Sequence, residues 1–160
     1  MLREKNNIFE NNSLKLSVKR FSELTSEELY AILRSRAEVF AVEQGIVYQD
    51  LDGLDRYSTH VFASEGDRVV AYLRIIDAGV KFPAASIGRV LTVKEFRRRG
   101  LAREIMTLAI NIALEHSSEI EIEAQAYLKE FYNSLGFIPT SDVFILEDIP
   151  HISMILQHRE

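Results

Sequence analysis

The chain has 160 residues, 47% of them hydrophobic, and this length and composition are typical of one globular domain. Its 19 lysine and arginine residues stand against 24 aspartate and glutamate residues, and the resulting net charge of −5 argues against a protein that coats nucleic acid. The absence of cysteine excludes disulfides, thiolate metal sites and a thiol nucleophile.

No part of the chain has the composition of a linker, a repeat or a membrane span. It contains only 7 glycine and 3 proline residues, and no apolar run is long enough to cross a bilayer. Residues 1–12 are polar and lack the apolar core of a secretory signal. We therefore expect a flexible segment at 1–12, a single domain at 13–160, and a soluble cytoplasmic protein that binds neither membranes nor nucleic acid.

The N-terminal part of the chain has the pattern of a strand followed by an amphipathic helix. Residues 14–20 alternate apolar and polar side chains, as a half-buried strand does. Thr25 and Glu28 have the spacing of a capping box, which predicts the start of a helix. The apolar face of this helix recurs at three- and four-residue spacing and contains Leu29, Ile32, Leu33, Ala37 and Phe40.

The remaining chain alternates strands with helices. An acidic loop at 45–57 precedes two strands at 60–64 and 68–77, which a hairpin turn joins. Further strands are predicted at 85–93, 120–124, 143–146 and 152–156, and further helices at 101–116 and 128–135. This order of elements predicts a mixed sheet with helices on its faces.

A strand, a basic turn and a helix N-terminus follow one another at 91–103. The first turn of a helix leaves backbone N–H groups unpaired and carries a charge of about +0.5, so it can hold a phosphate. Gly100 and Ala102 would let a ligand approach the backbone, and the neighbouring arginines would add charge-assisted hydrogen bonds. The alternative is a solvated helix start. The segment has neither the Walker nor the Rossmann glycine pattern.

Two motifs in this part of the chain carry a family resemblance. Arg97-x-x-Gly100-x-Ala102 matches [QR]-x-x-G-x-[GA], and a second motif matches F-Y-x-x-x-G-F at Phe131-Tyr132-Asn133-Ser134-Leu135-Gly136-Phe137. In this order they resemble the signatures of the GNAT superfamily of acyl-coenzyme A N-acyltransferases. The chain also resembles one branch of this superfamily, the ElaA-like acetyltransferases, from about residue 30 to residue 157. The segments that carry this second resemblance are Val39 to Gln44, Tyr48 to Gly53, Ile87 to Val90, Ala124 to Ala126 and Ile149 to Ile152.

The resemblance implies a fold and a donor. The fold is the GNAT fold, an α/β (α+β) arrangement with a mixed, mostly antiparallel central β-sheet flanked by helices on both faces. The donor is acetyl-coenzyme A, with its pyrophosphate on the basic turn, its pantetheine arm beside the preceding strand, and no metal. The implied contacts are Leu91, Thr92, Val93, Arg98, Arg99, Gly100, Leu101, Ala102, Arg103 and Gln125. Gln125 stands where many family members have asparagine.

The resemblance also implies Tyr132 as the acid that protonates the departing thiolate, the alternative being an aromatic packing residue. Direct transfer further needs a base for the amine. Candidates for this base are Glu43 and His151, followed by Asp50, Asp52 and His60, and a solvated or structural role remains open for each. The acceptor is a primary amine on a small molecule or a peptide, and the protein is a monomer or a homodimer.

The acidic loop at 45–57 has three readings. It resembles a calcium loop, but its glycine and its last ligand position are out of register. It could attract a cationic acceptor, or it could supply carboxylates to Arg74 and Arg89, which need partners if they are buried in their strands. A non-catalytic sensor of acyl-coenzyme A with the same fold is the alternative to the enzyme.

Overall fold

Eight strands form two antiparallel sheets in the computed structural model, which describes Phe9 and residues 13–158. The first sheet has the order β1-β2-β3-β4, with strands Lys15–Arg20, Ser58–Glu65, Arg68–Ile76 and Ser86–Thr92. In the second sheet, β8 (Ile149–Gln157) pairs with β5 (Glu119–Gln125) on one side and with β6 (Ile138–Pro139) and β7 (Phe144–Leu146) on the other. The short strand β6 was not expected from the sequence.

Three α-helices connect or flank these strands in the described part of the chain. They are α1 (Ser26–Arg36), α2 (Leu101–Leu114) and α3 (Lys129–Ser134). The predicted capping box opens α1, because Glu28 N donates to Thr25 Oγ1 at 3.1 Å and Thr25 N donates to Glu28 Oε1 at 3.0 Å. Both α1 and α2 pack against β3, so this strand lies at the centre of the core.

The first helix widens before it ends. Residues Ala37–Glu43 continue α1 as a π-helix, in which Gln44 N donates to Val39 O at 3.0 Å. The change of period alters the predicted buried face, since Ala37 is exposed. π-Helical turns are rare in proteins as a whole, but those that occur are often found at functional sites.

The two sheets meet at one point. β4 and β5 run parallel and are joined by a single bridge between Ala85 and Ile120, where Glu121 N donates to Ala85 O at 2.9 Å. Beyond this bridge, within the described residues, β4 pairs only with β3 and β5 pairs only with β8. The α/β fold class is therefore confirmed, and its central sheet consists of two halves that diverge after Ala85.

The core is continuous across both halves. It contains Tyr72 and Leu73 from β3, Ile105 and Met106 from α2, and Ile120 from β5, all buried. Phe9 joins this core, and its carbonyl accepts a hydrogen bond of 2.8 Å from Leu14 N. The expectation of flexibility at 1–12 otherwise lies outside the described residues.

Candidate active site

The divergence of β4 and β5 opens a cleft of about 1020 Å³, counting the part that is open to solvent. Side chains from both sheets, the end of the π-helix, the acidic loop and α3 line it. The polar ones are Gln44, Tyr48, Arg74, Lys81, Ser86, Arg89, Glu123, Gln125, Tyr127, Tyr132, Glu147 and His151. Concave sites with a few convergent polar groups are typical of substrate binding.

A β-bulge shapes the β4 wall of the cleft. Tyr72 of β3 pairs with Leu91, but Arg74 pairs with Gly88, so two residues of β4 face Leu73 alone. One of the two, Arg89, has a φ of 53°. A bulge leaves backbone groups out of the ladder and re-aims side chains, and both Arg89 and Val90 line the cleft.

The predicted basic turn leads into α2 as expected. Gly100 is the residue before the helix and has a φ of 79°, a left-handed conformation that glycine adopts without strain. Among the described residues, no side chain caps the N–H groups of the first turn of α2. These groups are therefore available to an anion, which is the geometry that the sequence predicted.

The arginines of this turn have contacts of their own. Arg99 lies over the Phe96 ring at 4.7 Å, and its Nη2 donates to Glu95 O at 3.0 Å. Arg103 donates to Ser134 Oγ at 2.7 Å and lies over the Phe131 ring at 5.5 Å. The first turn of α2 is thus attached to α3.

Arg97, the first residue of the motif, is paired with Glu43. The two side chains form a bidentate ion pair, one bond of which measures 2.6 Å, and Arg97 Nε donates to Thr92 O at 2.9 Å. The hydrogen bond from Arg97 lowers the pKa of Glu43, which makes this carboxylate a weaker base. The geometry supports Glu43 as a link between the π-helix and the basic turn better than as the base.

Tyr132 lies on α3 in the wall of the cleft. Its ring is buried against Phe131 and Phe137, with centroid distances of 5.2 and 5.9 Å. Its hydroxyl group has no hydrogen-bond partner among the described residues. Burial raises the pKa of Tyr132 to about 12, so the group keeps its proton at neutral pH. The residue therefore both packs in the core and presents a donor to the cleft.

His151 and Gln125 are cross-strand neighbours in the wall formed by the second sheet. His151 Nδ1 lies 2.7 Å from Ile149 O, and its ring stacks on Phe144 at 6.2 Å. A carbonyl oxygen can only accept, so Nδ1 carries a proton, and whenever the ring is neutral its lone pair is on Nε2. Gln125 Nε2 lies 3.5 Å from Gln44 Oε1 at the end of the π-helix.

His60 lies outside the cleft. It is completely buried, its Nδ1 lies 2.7 Å from Tyr72 Oη, and its Nε2 lies 2.9 Å from Asp55 O. Burial also lowers the pKa of His60. With both ring nitrogens engaged and no access to a substrate, His60 is a structural residue, and its candidacy as the base is wrong.

The acidic loop neutralises arginines. Arg74 binds Asp52 through bonds of 2.8 and 2.5 Å and Asp55 at 2.9 Å, and Arg89 Nε lies 2.8 Å from Asp50 Oδ1. The expectation that this loop supplies partners to Arg74 and Arg89 is confirmed. Because Asp50 and Asp52 are engaged in this way, they are poor candidates for the base or for binding a cationic acceptor.

A third arginine of this cluster was missed at the sequence level. Arg36 is wholly buried, and it donates to Asp55 Oδ1 at 2.7 Å and to Asp50 Oδ2 at 3.0 Å. Its position four residues after Ile32 places it on the buried face of α1, and this spacing is the signal that could have identified it. Burial alone would raise the pKa of Asp55, but the charges of Arg36 and Arg74 hold it below its usual value.

The fold, the uncapped helix N-terminus and the cleft with its tyrosine define an acyltransferase of the GNAT type. The chain belongs to this family, because the model of the acetyltransferase (GNAT) domain matches residues 22–158. Among the described residues, no helix has the length and apolar character needed to cross a membrane.

Relatives and solved structures agree with this assignment. A UPF0039 protein of Synechocystis is 40% identical over 88% of this chain and 94% of its own length. Protein ElaA of Escherichia coli is 36% identical over 83% of this chain and 90% of its own length. The crystal structure of an acyl-CoA N-acyltransferase from Pseudomonas aeruginosa superposes with a TM-score of 0.84 at 37% identity, covering 89% of this chain and 99% of that one.

Proposed function

We propose that this enzyme is an N-acetyltransferase that transfers the acetyl group of acetyl-coenzyme A directly to a primary amine in the cytoplasm. The observation that carries the proposal is the attachment of the basic turn to the helix of Tyr132. Arg103 in the first turn of α2 contacts Ser134 and Phe131 on α3. A donor held by the turn therefore lies beside the helix that presents a protonated phenol to the cleft.

The residues around the turn fit a donor of this kind. The N–H groups at the start of α2, with Arg98 and Arg99 before them, would hold the pyrophosphate. The edge of β4 that faces β5 is unpaired within the described residues, so it can accept the pantetheine arm as an added strand. The Thr92 hydroxyl on this strand is buried without a hydrogen-bond partner, which is expected of a group that meets a ligand.

The transfer forms a bond from the amine nitrogen to the thioester carbonyl carbon and breaks the bond from that carbon to sulfur. Tyr132 donates a hydrogen bond, and then its proton, to the departing sulfur. His151 accepts the proton of the amine on Nε2, directly or through water. The backbone groups freed by the bulge at Arg89 and Val90 would bind the carbonyl oxygen as negative charge develops on it.

The proposal is tested by calorimetric titration with acetyl-coenzyme A and coenzyme A, followed by thiol release with a panel of primary amines. We expect binding together with amine-dependent thiol release. Binding without release across a broad panel would favour the sensor of acyl-coenzyme A. If neither compound bound, the assignment of the basic turn as the donor site would be wrong.

A further inference from the structure

The proposed transfer uses the backbone of Arg89 but assigns no role to its side chain. The residue occupies the bulge of β4 and has a left-handed φ of 53°, which is uncommon for a residue with a long side chain. Such conformations persist where the surrounding structure determines them, and they cluster at ligand sites. The Arg89 side chain is 19% exposed and lines the cleft.

The protein fixes the Arg89 guanidinium but leaves some of its donors unused. Nη2 donates to Asp50 O at 3.0 Å and to Asp52 Oδ2 at 3.4 Å, and the group lies over the Tyr48 ring at 5.1 Å. Nε lies 2.8 Å from Asp50 Oδ1, but its N–H does not point at this oxygen. Nη1 makes no hydrogen bond within the described part of the chain. A guanidinium held in this way is preorganised for an anion.

The two carboxylates near Arg89 are shared with other arginines. Asp50 Oδ2 accepts a hydrogen bond of 3.0 Å from Arg36 Nε. Asp52 accepts two hydrogen bonds from Arg74, and the Nε of Arg74, another residue of the cleft, is buried without a partner. Of the three arginines, Arg89 consequently makes the fewest hydrogen bonds to carboxylates, and its side chain lines the cleft.

We infer that the acceptor carries a carboxylate near its amine and that Arg89 binds this carboxylate. The inference rests on the proposed function, because it specifies the class of acceptor for that transfer. Elsewhere in the cleft, Lys81 and Glu123 pair with each other at 3.1 Å. Glu147, in the turn between β7 and β8, adds a negative charge to the lining of the cleft. A zwitterionic amino acid, free or at the end of a short peptide, matches this separation of charge.

The test compares matched acceptors in the thiol-release assay at saturating acetyl-coenzyme A. Amino acids are measured against their carboxamides, and dipeptides with a free C-terminal carboxylate against amidated dipeptides, which distinguishes the two sources of the carboxylate. We expect kcat/KM to be about 10- to 100-fold higher for the carboxylates, as for a hydrogen bond to a charged group. Equal use of acids and amides by the native protein would overturn the inference.

Arg89→Gln should abolish this preference while the affinity for acetyl-coenzyme A stays unchanged. The variant leaves Asp50 and Asp52 paired with Arg36 and Arg74, so it does not create an unpaired buried charge. Arg68→Gln is the matched control, because Arg68 pairs with Glu38 and Glu95 at the surface. An equal loss for acids and amides in Arg89→Gln would contradict a role in carboxylate binding.

A second arm does not depend on turnover. N-acetyl amino acids and their amides are titrated into the native protein and Arg89→Gln in the presence of coenzyme A. We expect about tenfold or more weaker binding of the amides to the native protein, and no such difference in the variant. If acetyl-coenzyme A fails to bind, the proposed function fails while this arm still reports on the carboxylate site. If transfer occurs but neither arm shows a preference, only the present inference fails.

Discussion

Tyr132 illustrates how one side chain packs in the core and, in the proposed transfer, also takes part in the chemistry. Its ring makes edge contacts with Phe131 and Phe137 in the core, while its hydroxyl belongs to the cleft. The burial that packs the ring also raises the pKa of the phenol to about 12. The group is therefore a proton donor and not a base over the physiological pH range, which is the role that direct transfer requires of it.

Replacing Tyr132 by phenylalanine removes the donor and keeps the ring contacts. We expect kcat to fall by about tenfold to a thousandfold, with the affinity for acetyl-coenzyme A nearly unchanged. Thiol release and calorimetric titration measure the two quantities. Tyr30→Phe, at an exposed position on α1, is the control and should match the native protein. If Tyr132→Phe kept the kcat of the native protein, Tyr132 would have a role in packing but none as a proton donor.

Glu43 shows that the neighbours of a side chain decide its role. The sequence placed this carboxylate after a helix, where it could face an acceptor. The tertiary structure places it on Arg97, which holds it ionised and lowers its pKa. His151, whose Nε2 carries the lone pair in the wall of the cleft, is the stronger candidate for the base.

At the scale of the elements, the proposed donor site depends on the N-terminus of α2. The turn before it needs a left-handed residue, and the φ of Gly100 is 79°. A side chain at this position would be strained, and its Cβ would also stand where a phosphate approaches the backbone. The conformational and functional demands on Gly100 therefore coincide.

Gly100→Ala is expected to weaken the binding of acetyl-coenzyme A by about tenfold or more, which corresponds to about 1.4 kcal/mol. The left-handed conformation also costs about 1–2 kcal/mol of stability. Gly66→Ala isolates the conformational cost, because Gly66 has a φ of 57° in the turn between β2 and β3 and no atom lies near the added Cβ. Calorimetry and denaturant unfolding check both variants. If the two variants bound acetyl-coenzyme A with equal affinity, Gly100 would not be part of the donor site.

At the scale of the whole molecule, buried polar groups connect α1, the acidic loop and β3. Arg36, Arg74 and Asp55 form a hydrogen-bonded ion cluster, and His60 donates to the carbonyl of Asp55. Removing one partner of such a cluster leaves an uncompensated buried charge. Arg74 of this cluster lines the cleft, so the integrity of the fold and the geometry of the site are linked.

His60 gives this cluster a pH dependence. Burial lowers the pKa of folded His60 below the ordinary value of 6.5, so between these two values the unfolded chain binds a proton that the folded protein does not. The free energy of unfolding should therefore fall as pH drops through 6.5, by at most about 1.4 kcal/mol per pH unit, and level off below the folded pKa.

Denaturant unfolding between pH 8 and pH 5 measures this effect. His116→Asn, at an exposed position outside this cluster, is measured alongside as the control variant. A free energy of unfolding that does not change across this interval would show that folded and unfolded His60 bind protons alike.

The sequence by itself determined the order of the elements, the capping box at Thr25, the turn at Gly100 and the motif around Tyr132. Each depends on residues a few positions apart, and such spacing is visible in a single chain. The sequence also indicated that Arg74 and Arg89 need carboxylates, because isolated charges are costly in buried strands.

Only the tertiary structure decided which distant groups meet. Arg97 and Glu43 are 54 positions apart, and nothing local pairs them. The ion pairs of Arg36 with Asp50 and Asp55, the divergence of β4 and β5 beyond Ala85, and the bulge at Arg89 depend on how whole elements pack. The local pattern therefore predicts the donor side of the proposed site, whereas its acceptor side depends on how distant elements pack.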